Sequence, residues 1–140
     1  MWGTIVAETL ELSLPAKPTA PAAAREALSR ALEAVSPSWR IDDAALLASE
    51  VVTNSVRHAQ LPPDADILLR ASITPESLRV EVLDEGPGFS STVDLRPRSS
   101  EIGTSGWGLF LVDELADAWG VERGPTGSTC VWFELKLTET

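Results

Sequence analysis

Glu50, Asn54 and His58 recur at intervals of four within SEVVTNSVRHA, residues 49–59, a stretch otherwise built of helix-forming and apolar residues. At about 100° per residue the three stack one above another, beside an apolar arc of Ala45, Leu47, Ala48, Val51, Val52 and Val56. Such a row is either the polar border of an amphipathic helix or a site. Its chemistry suits a site. A side-chain amide oxygen is a hard, neutral ligand for Mg²⁺, which prefers oxygen and keeps most of its waters. A partly desolvated glutamate one turn away can take a proton from an attacking hydroxyl or water. One metal ligand and one base a helical turn apart suit metal-assisted phosphoryl transfer. His58, the single histidine, reads as a cap or brace of the helix end.

Two glycine-bearing stretches add to this row. In VEVLDEGPGF, Asp84 stands where the alternation of Leu78, Val80 and Val82 gives out, and Gly86 and Gly88 follow. One reading is a strand that stops at an acidic turn. The other draws the carboxylate inward, where it needs donors such as the exocyclic amine of adenine, while the two glycines let backbone approach a flat base. In GTSGWGLFLV, Gly103, Gly106 and Gly108 precede or open a helix, and exposed N–H groups at a helix start attract phosphate. Neither GxxxxGK[ST] nor GxGxxG occurs, so a P-loop is excluded and any phosphate site relies on Mg²⁺, backbone amides and an arginine.

The elements that must carry these residues follow from periodicity. Residues 5–14 read as a half-buried strand, with Leu10, Leu12 and Leu14 opposed to Glu11 and Ser13. After the breaker PAKPTAP, a helix is expected from Ala20 to Val35 with Ala24, Leu28, Ala31, Leu32 and Val35 in its stripe and Arg25 on another face. Asp42 and Asp43 suit the first turn of the next helix, which runs to Gln60 before Pro62 and Pro63. Ile67 to Ile73 and Leu78 to Leu83 form a hairpin around TPES. The polar run from Gly86 to Ser105 is longer than an ordinary connection, as functional loops are. A helix is expected from Gly108 to Trp119, stopped by Gly120, and a second hairpin closes the domain around residues 125–128.

Composition narrows the class. The chain has 140 residues, 44% of them hydrophobic, enough for one domain with a core. No apolar run is long enough for a membrane span, and the first residues do not read as a signal peptide. The single cysteine, Cys130, reads as a small core residue in a strand. The expected location is the cytoplasm. A net charge of −10 repels a phosphate backbone, which argues against direct nucleic-acid binding and for a protein partner with a basic patch.

Taken together, E-x-x-x-N on a helix, D-x-G-x-G after a strand and GxGLxLV at a helix entry resemble the GHKL ATPase superfamily, and within it the anti-sigma factor serine kinases of the RsbW and SpoIIAB type. EVVTNSVRHA looks like the family's N box, DEGPGF and GTSGWGLFLV like its two glycine boxes, and GSTCVWFEL like its closing strand. The resemblance implies a Bergerat-type two-layer α/β sandwich spanning residues 1–140, with a mixed, mostly antiparallel sheet and helices on one face. It implies ATP and Mg²⁺ as cofactors, Glu50 as general base and Asn54 as magnesium ligand. Asp84, Gly86, Gly88 and Thr129 would surround the adenine. Gly106, Gly108 and Leu109 would line the triphosphate beneath a lid at 89–105, and Arg25 would lie near the partner surface.

The implied activity is a serine/threonine protein kinase acting on a STAS-type anti-sigma factor antagonist, a homodimer that also binds a sigma factor. The alternative is a nucleotide-dependent module that grips a regulator without phosphotransfer. A sensor histidine kinase would need an acceptor histidine outside the N box. Gyrase-like and chaperone-like ATPases would need a transducer domain that 140 residues cannot hold.

Overall fold

In the computed structural model, residues 8–35, 40–58, 65–84, 107–123 and 128–137 are described. They form β1 (Glu8–Pro15), α1 (Ala20–Val35), α2 (Ile41–His58), β2 (Asp66–Ile73), β3 (Ser77–Asp84), α3 (Trp107–Leu115), β4 (Ala118–Arg123) and β5 (Thr129–Lys136). The five strands make one sheet in the order β1-β2-β3-β5-β4. Every ladder among the described residues is antiparallel, in keeping with a mostly antiparallel sheet.

Period-two alternation decides which side of the sheet is covered. Ile67, Leu69, Ala71 and Ile73 of β2 are buried, as are Leu78, Val80 and Val82 of β3 and Val131, Phe133 and Leu135 of β5. The helices supply the other half of this core: Ala24, Leu28 and Leu32 from α1, and Ala44, Leu47, Ala48, Val51 and Val52 from α2. α1 packs on β1 and β2, α2 on β3, and α3 on α2 and β4. The helices therefore occupy one face, and Ala24, Leu28, Ala31 and Leu32 of the expected α1 stripe are buried, as are Ala45, Leu47, Ala48, Val51 and Val52 of the α2 arc, with Val56 partly so.

Local chemistry sets the element ends. The Thr74 hydroxyl accepts N–H bonds from Glu76 and Ser77 at 3.3 and 3.0 Å, which closes the β2–β3 hairpin at TPES. The first intrahelical bond of α2 runs from Ala44 N–H to Arg40 C=O, with Asp42 and Asp43 in the first turn. Carboxylates there meet the positive end of the helix dipole.

Two expectations are corrected. The helix expected over Gly108 to Trp119 stops at Leu115, and Trp119 and Gly120 belong to β4. Asp117 N–H bonds Glu134 C=O, which commits the chain to the ladder, and Trp119 then pairs with Phe133. A Trp four residues after Leu115 fits a helical face, but it equally fits the core face of a strand with Val121. Gly120 is thus no helix stop. A Cβ there would stand 2.9 Å from the Trp132 ring, so the absent side chain makes room for the indole across β4.

Cys130 is in a strand, as expected, but not in the core. It lies half-buried on the outer sheet face, paired with Leu83 and Glu122. Burial, with Glu81 and Glu122 nearby, pushes its thiol up to about 11. Its neighbours on that face are ionic. Arg70 bridges Glu11 and Glu81 at 3.2 and 3.3 Å, Arg79 bridges Glu81 and Glu134 at 3.2 and 2.8 Å, and the Arg79 guanidinium stacks 4.3 Å from the Trp132 ring centre.

Candidate functional site

The helical row divides on folding. Asn54 is 5% exposed, and its Nδ2 has no hydrogen-bond partner among the described residues. Glu50, one turn earlier, is only half-buried, and His58 is the last residue of α2. The difference follows from rotation about the helix: Asn54 falls next to the buried Val51 and Ser55, at the inner edge of the arc. A buried amide left without a partner costs about 1–3 kcal/mol. An unpaired Nδ2 is a donor, so the group that would complete it is a hydrogen-bond acceptor.

Asp84 and Thr129 are brought together by the β3–β5 ladder, in which they are register partners on the core face. Each is 1% exposed. A strand residue is buried here because the alternation of β3 continues one step past Val82, to its final residue. Thr129 opens β5 for the same reason, and its Oγ1 has no partner among the described residues. A carboxylate and a hydroxyl at the core end of two adjacent strands offer an acceptor and a donor–acceptor to one flat polar ligand.

The other end of α2 is tied to its neighbours. Arg40, just before α2, bonds the backbone oxygens of Leu115 and Lys136, the last residues of α3 and β5. From that corner α2 advances about 20 Å to Asn54 at ~1.5 Å per residue. Over a similar length, about 24 Å at ~3.4 Å per residue, β5 runs back from Lys136 to Thr129. α3 packs on α2, and its last residue, Leu115, meets Arg40 at the start of α2.

Arg25 is exposed on α1. Gly86, Gly88, Gly106 and the expected lid at 89–105 lie outside the described residues. Sequence reasoning missed the Arg40 clasp, because an arginine that binds backbone oxygens of distant elements has no local signature. The buried Ser49 was also missed; its hydroxyl donates to Leu46 C=O at 2.8 Å, a bond internal to the helix.

The donor set fits a magnesium ion that arrives with phosphate ligands. Among the described residues no cluster of three His, Cys, Asp or Glu could hold a metal by itself, whereas Mg²⁺ is commonly bound by one or two protein oxygens plus substrate phosphates and waters. The Asn54 side-chain amide would offer one such oxygen, Oδ1, and Glu50 stays free to act as a base. No helix among the described residues is long and apolar enough to cross a membrane.

The histidine kinase-like ATPase domain family matches residues 14–135. A serine-protein kinase RsbW of Listeria innocua is 34% identical over 124 residues, covering 79% of this chain and 76% of that protein. An anti-sigma F factor of Halalkalibacterium halodurans is 29% identical over 99 residues, covering 67% and 68%. Among solved structures, the RsbU and RsbW domains of a Mycobacterium tuberculosis protein superpose with a TM-score of 0.70 at 22% identity. That match covers 95% of this chain and 33% of the other. The SiaB–SiaC complex of Pseudomonas aeruginosa gives 0.60 at 14% identity, covering 91% and 89%. At these identities the two structures show the fold alone.

Proposed function

The chain belongs to the histidine kinase-like ATPase family, among proteins of the RsbW anti-sigma kinase type, and from that premise we propose that it is an ATP-dependent serine/threonine protein kinase. Its protein substrate is a STAS-type anti-sigma factor antagonist, and it also binds a sigma factor. Arg25, exposed on α1, contributes to the partner surface, and the working unit is a homodimer in the cytoplasm.

The observation that carries the nucleotide site is the buried Asp84–Thr129 pair, paired in register across β3 and β5. Asp84 accepts the adenine amine, Thr129 bonds the ring edge, and Gly86 and Gly88 let backbone approach the base. Gly106, Gly108 and Leu109 hold the phosphates at the start of α3, where N–H groups are unpaired, and residues 89–105 close over them. Asn54 is the protein ligand for Mg²⁺, which when bound neutralises charge on the phosphates. Glu50 is half-exposed, as a base must be to meet a hydroxyl brought by another protein, and it takes the proton of the attacking Ser or Thr.

The binding-module reading is favoured by one sequence fact: residues 89–105 contain no lysine to touch a γ-phosphate. The deciding experiment incubates the chain with γ-labelled ATP and candidate STAS proteins. Label on a Ser or Thr of an antagonist supports the kinase. ATP-dependent capture of a sigma factor or antagonist with no label transferred to any candidate supports the module.

A further inference from the structure

Arg40 lies outside the proposed nucleotide site, yet it ties together three elements that frame it. Its Nη2 donates to Leu115 C=O at 2.7 Å, and its Nη1 donates to Asp117 Oδ2 at 3.0 Å and Lys136 C=O at 3.2 Å. Its Nε is 3.7 Å from Asp43. The Arg40 side chain is 11% exposed and its Asp117 partner 39%, so the clasp is partly buried, with its acidic side open to solvent. Asp117 completes it by accepting the Lys136 N–H at 2.6 Å.

A second tie acts on the same helix. Trp119 Nε1 donates to Asp113 Oδ1 at 2.9 Å, joining β4 to the second half of α3. α3 has nine residues, too few to hold a helix by local bonding alone. Its direction is set by what it packs on and by what grips its carbonyl end. The last carbonyl there, that of Leu115, is met by a guanidinium that also complements the dipole. Fixing one end of a short rigid rod against α2 and β5 fixes the aim of the other end.

We propose that Arg40 is a positioning residue for phosphate binding: by clamping the C-terminal end of α3 to α2 and β5, it holds the first turn of α3, with Gly108 and Leu109, at the depth the triphosphate needs. This rests on the reading of that first turn as the phosphate end of the site. A planar fork is required because three acceptors, on α3, on β5 and in the turn between α3 and β4, must be met at once, which an ammonium cannot do in the same plane.

The test separates adenine recognition from phosphate recognition. Arg40→Lys, Arg40→Ala and Trp119→Phe are compared with wild type by calorimetry with adenosine and with Mg-ATP, well below each variant's thermal midpoint. The expected result is unchanged adenosine affinity, set by Asp84 and Thr129, with Mg-ATP affinity reduced about tenfold or more by a misplaced helix. Trp119→Phe should show the smaller loss. If Arg40→Ala does not fold, Arg40→Lys and Trp119→Phe carry the comparison. Parallel losses for both ligands would make Arg40 a purely structural residue and overturn the proposal, as would no loss for either. A wild-type chain that binds adenosine as tightly as Mg-ATP would instead remove the phosphates from α3, and so overturn the reading beneath it.

Discussion

Asp84 and Thr129 face each other across the β3–β5 ladder, on the core side of the sheet, each 1% exposed. If they hold adenine, Asp84→Asn replaces the acceptor of the exocyclic amine with a partly mismatched amide. The expected loss of ATP affinity is about 1–3 kcal/mol, as for a hydrogen bond to a buried charged group. GTP, with a carbonyl at that ring position, should bind wild type poorly. Calorimetry with equal ATP and GTP affinities would refute the assignment.

If the Asn54 amide oxygen ligates Mg²⁺, removing it has a metal-dependent effect. Asn54→Ala should weaken ATP binding in Mg²⁺ far more than in EDTA, since only the metal-bridged part of the affinity is lost. An equal loss in both conditions would mean that Asn54 serves packing. Thermal melts without nucleotide provide the control, because removing an unsatisfied buried amide should not destabilise the fold strongly.

Glu50 is half-exposed, so Glu50→Ala should fold and bind Mg-ATP like wild type. Phosphate transfer to the antagonist should fall about 10²–10⁴-fold, the usual share of a general base. Full transfer by this variant would reduce Glu50 to a spectator beside the metal.

On the outer sheet face, Gly120→Ala places a Cβ 2.9 Å from an indole that is itself covered by Arg79. The ring must shift and loosen that stack, at an expected cost of about 1–2 kcal/mol in chemical denaturation. In a Trp132→Val background the same substitution should be neutral, since nothing then occupies the space. An equal cost in both backgrounds would locate the effect in the β4 backbone.

The Arg40 clasp also predicts an acid limb. Accepting the Lys136 N–H and then pairing with Arg40 holds the Asp117 carboxyl below the usual aspartate range. A depressed folded-state value means that this stability is present above the unfolded-state pKa, about 3.9, and is lost as pH falls through the lower folded-state value. Asp117→Asn should therefore lower stability at pH 7 and flatten its decline below pH of about 4. Urea midpoints measured against pH read this directly, and parallel curves for the two proteins would exclude Asp117 from the acid response.

The amino-acid sequence alone determined the helices and most strands, because apolar residues at periods of 3.6 and 2 bury one face whatever the partner is. Leu28, Leu32, Leu47 and Val51 line the core as their spacing requires, and Val131, Phe133 and Leu135 do the same in β5. The same alternation assigns Cys130 to the outer face with Trp132 and Glu134, and there the period outweighed the residue type. The three motifs pointed to a nucleotide site because Glu, Asn, Asp and Gly at those spacings carry recognisable chemistry.

Tertiary structure decided what depends on register and reach. Whether Trp119 ends a helix or opens a strand is degenerate in local pattern, and only the ladder to Glu134 and Phe133 resolves it. The meeting of Asp84 with Thr129 is a property of how β3 and β5 align. The reach of Arg40 to Leu115 and Lys136 depends on how α2, α3 and the sheet are stacked. Periodicity reports which face of an element is buried, but pairing between distant segments is fixed by the backbone bonds and packing of the whole, which no short stretch encodes.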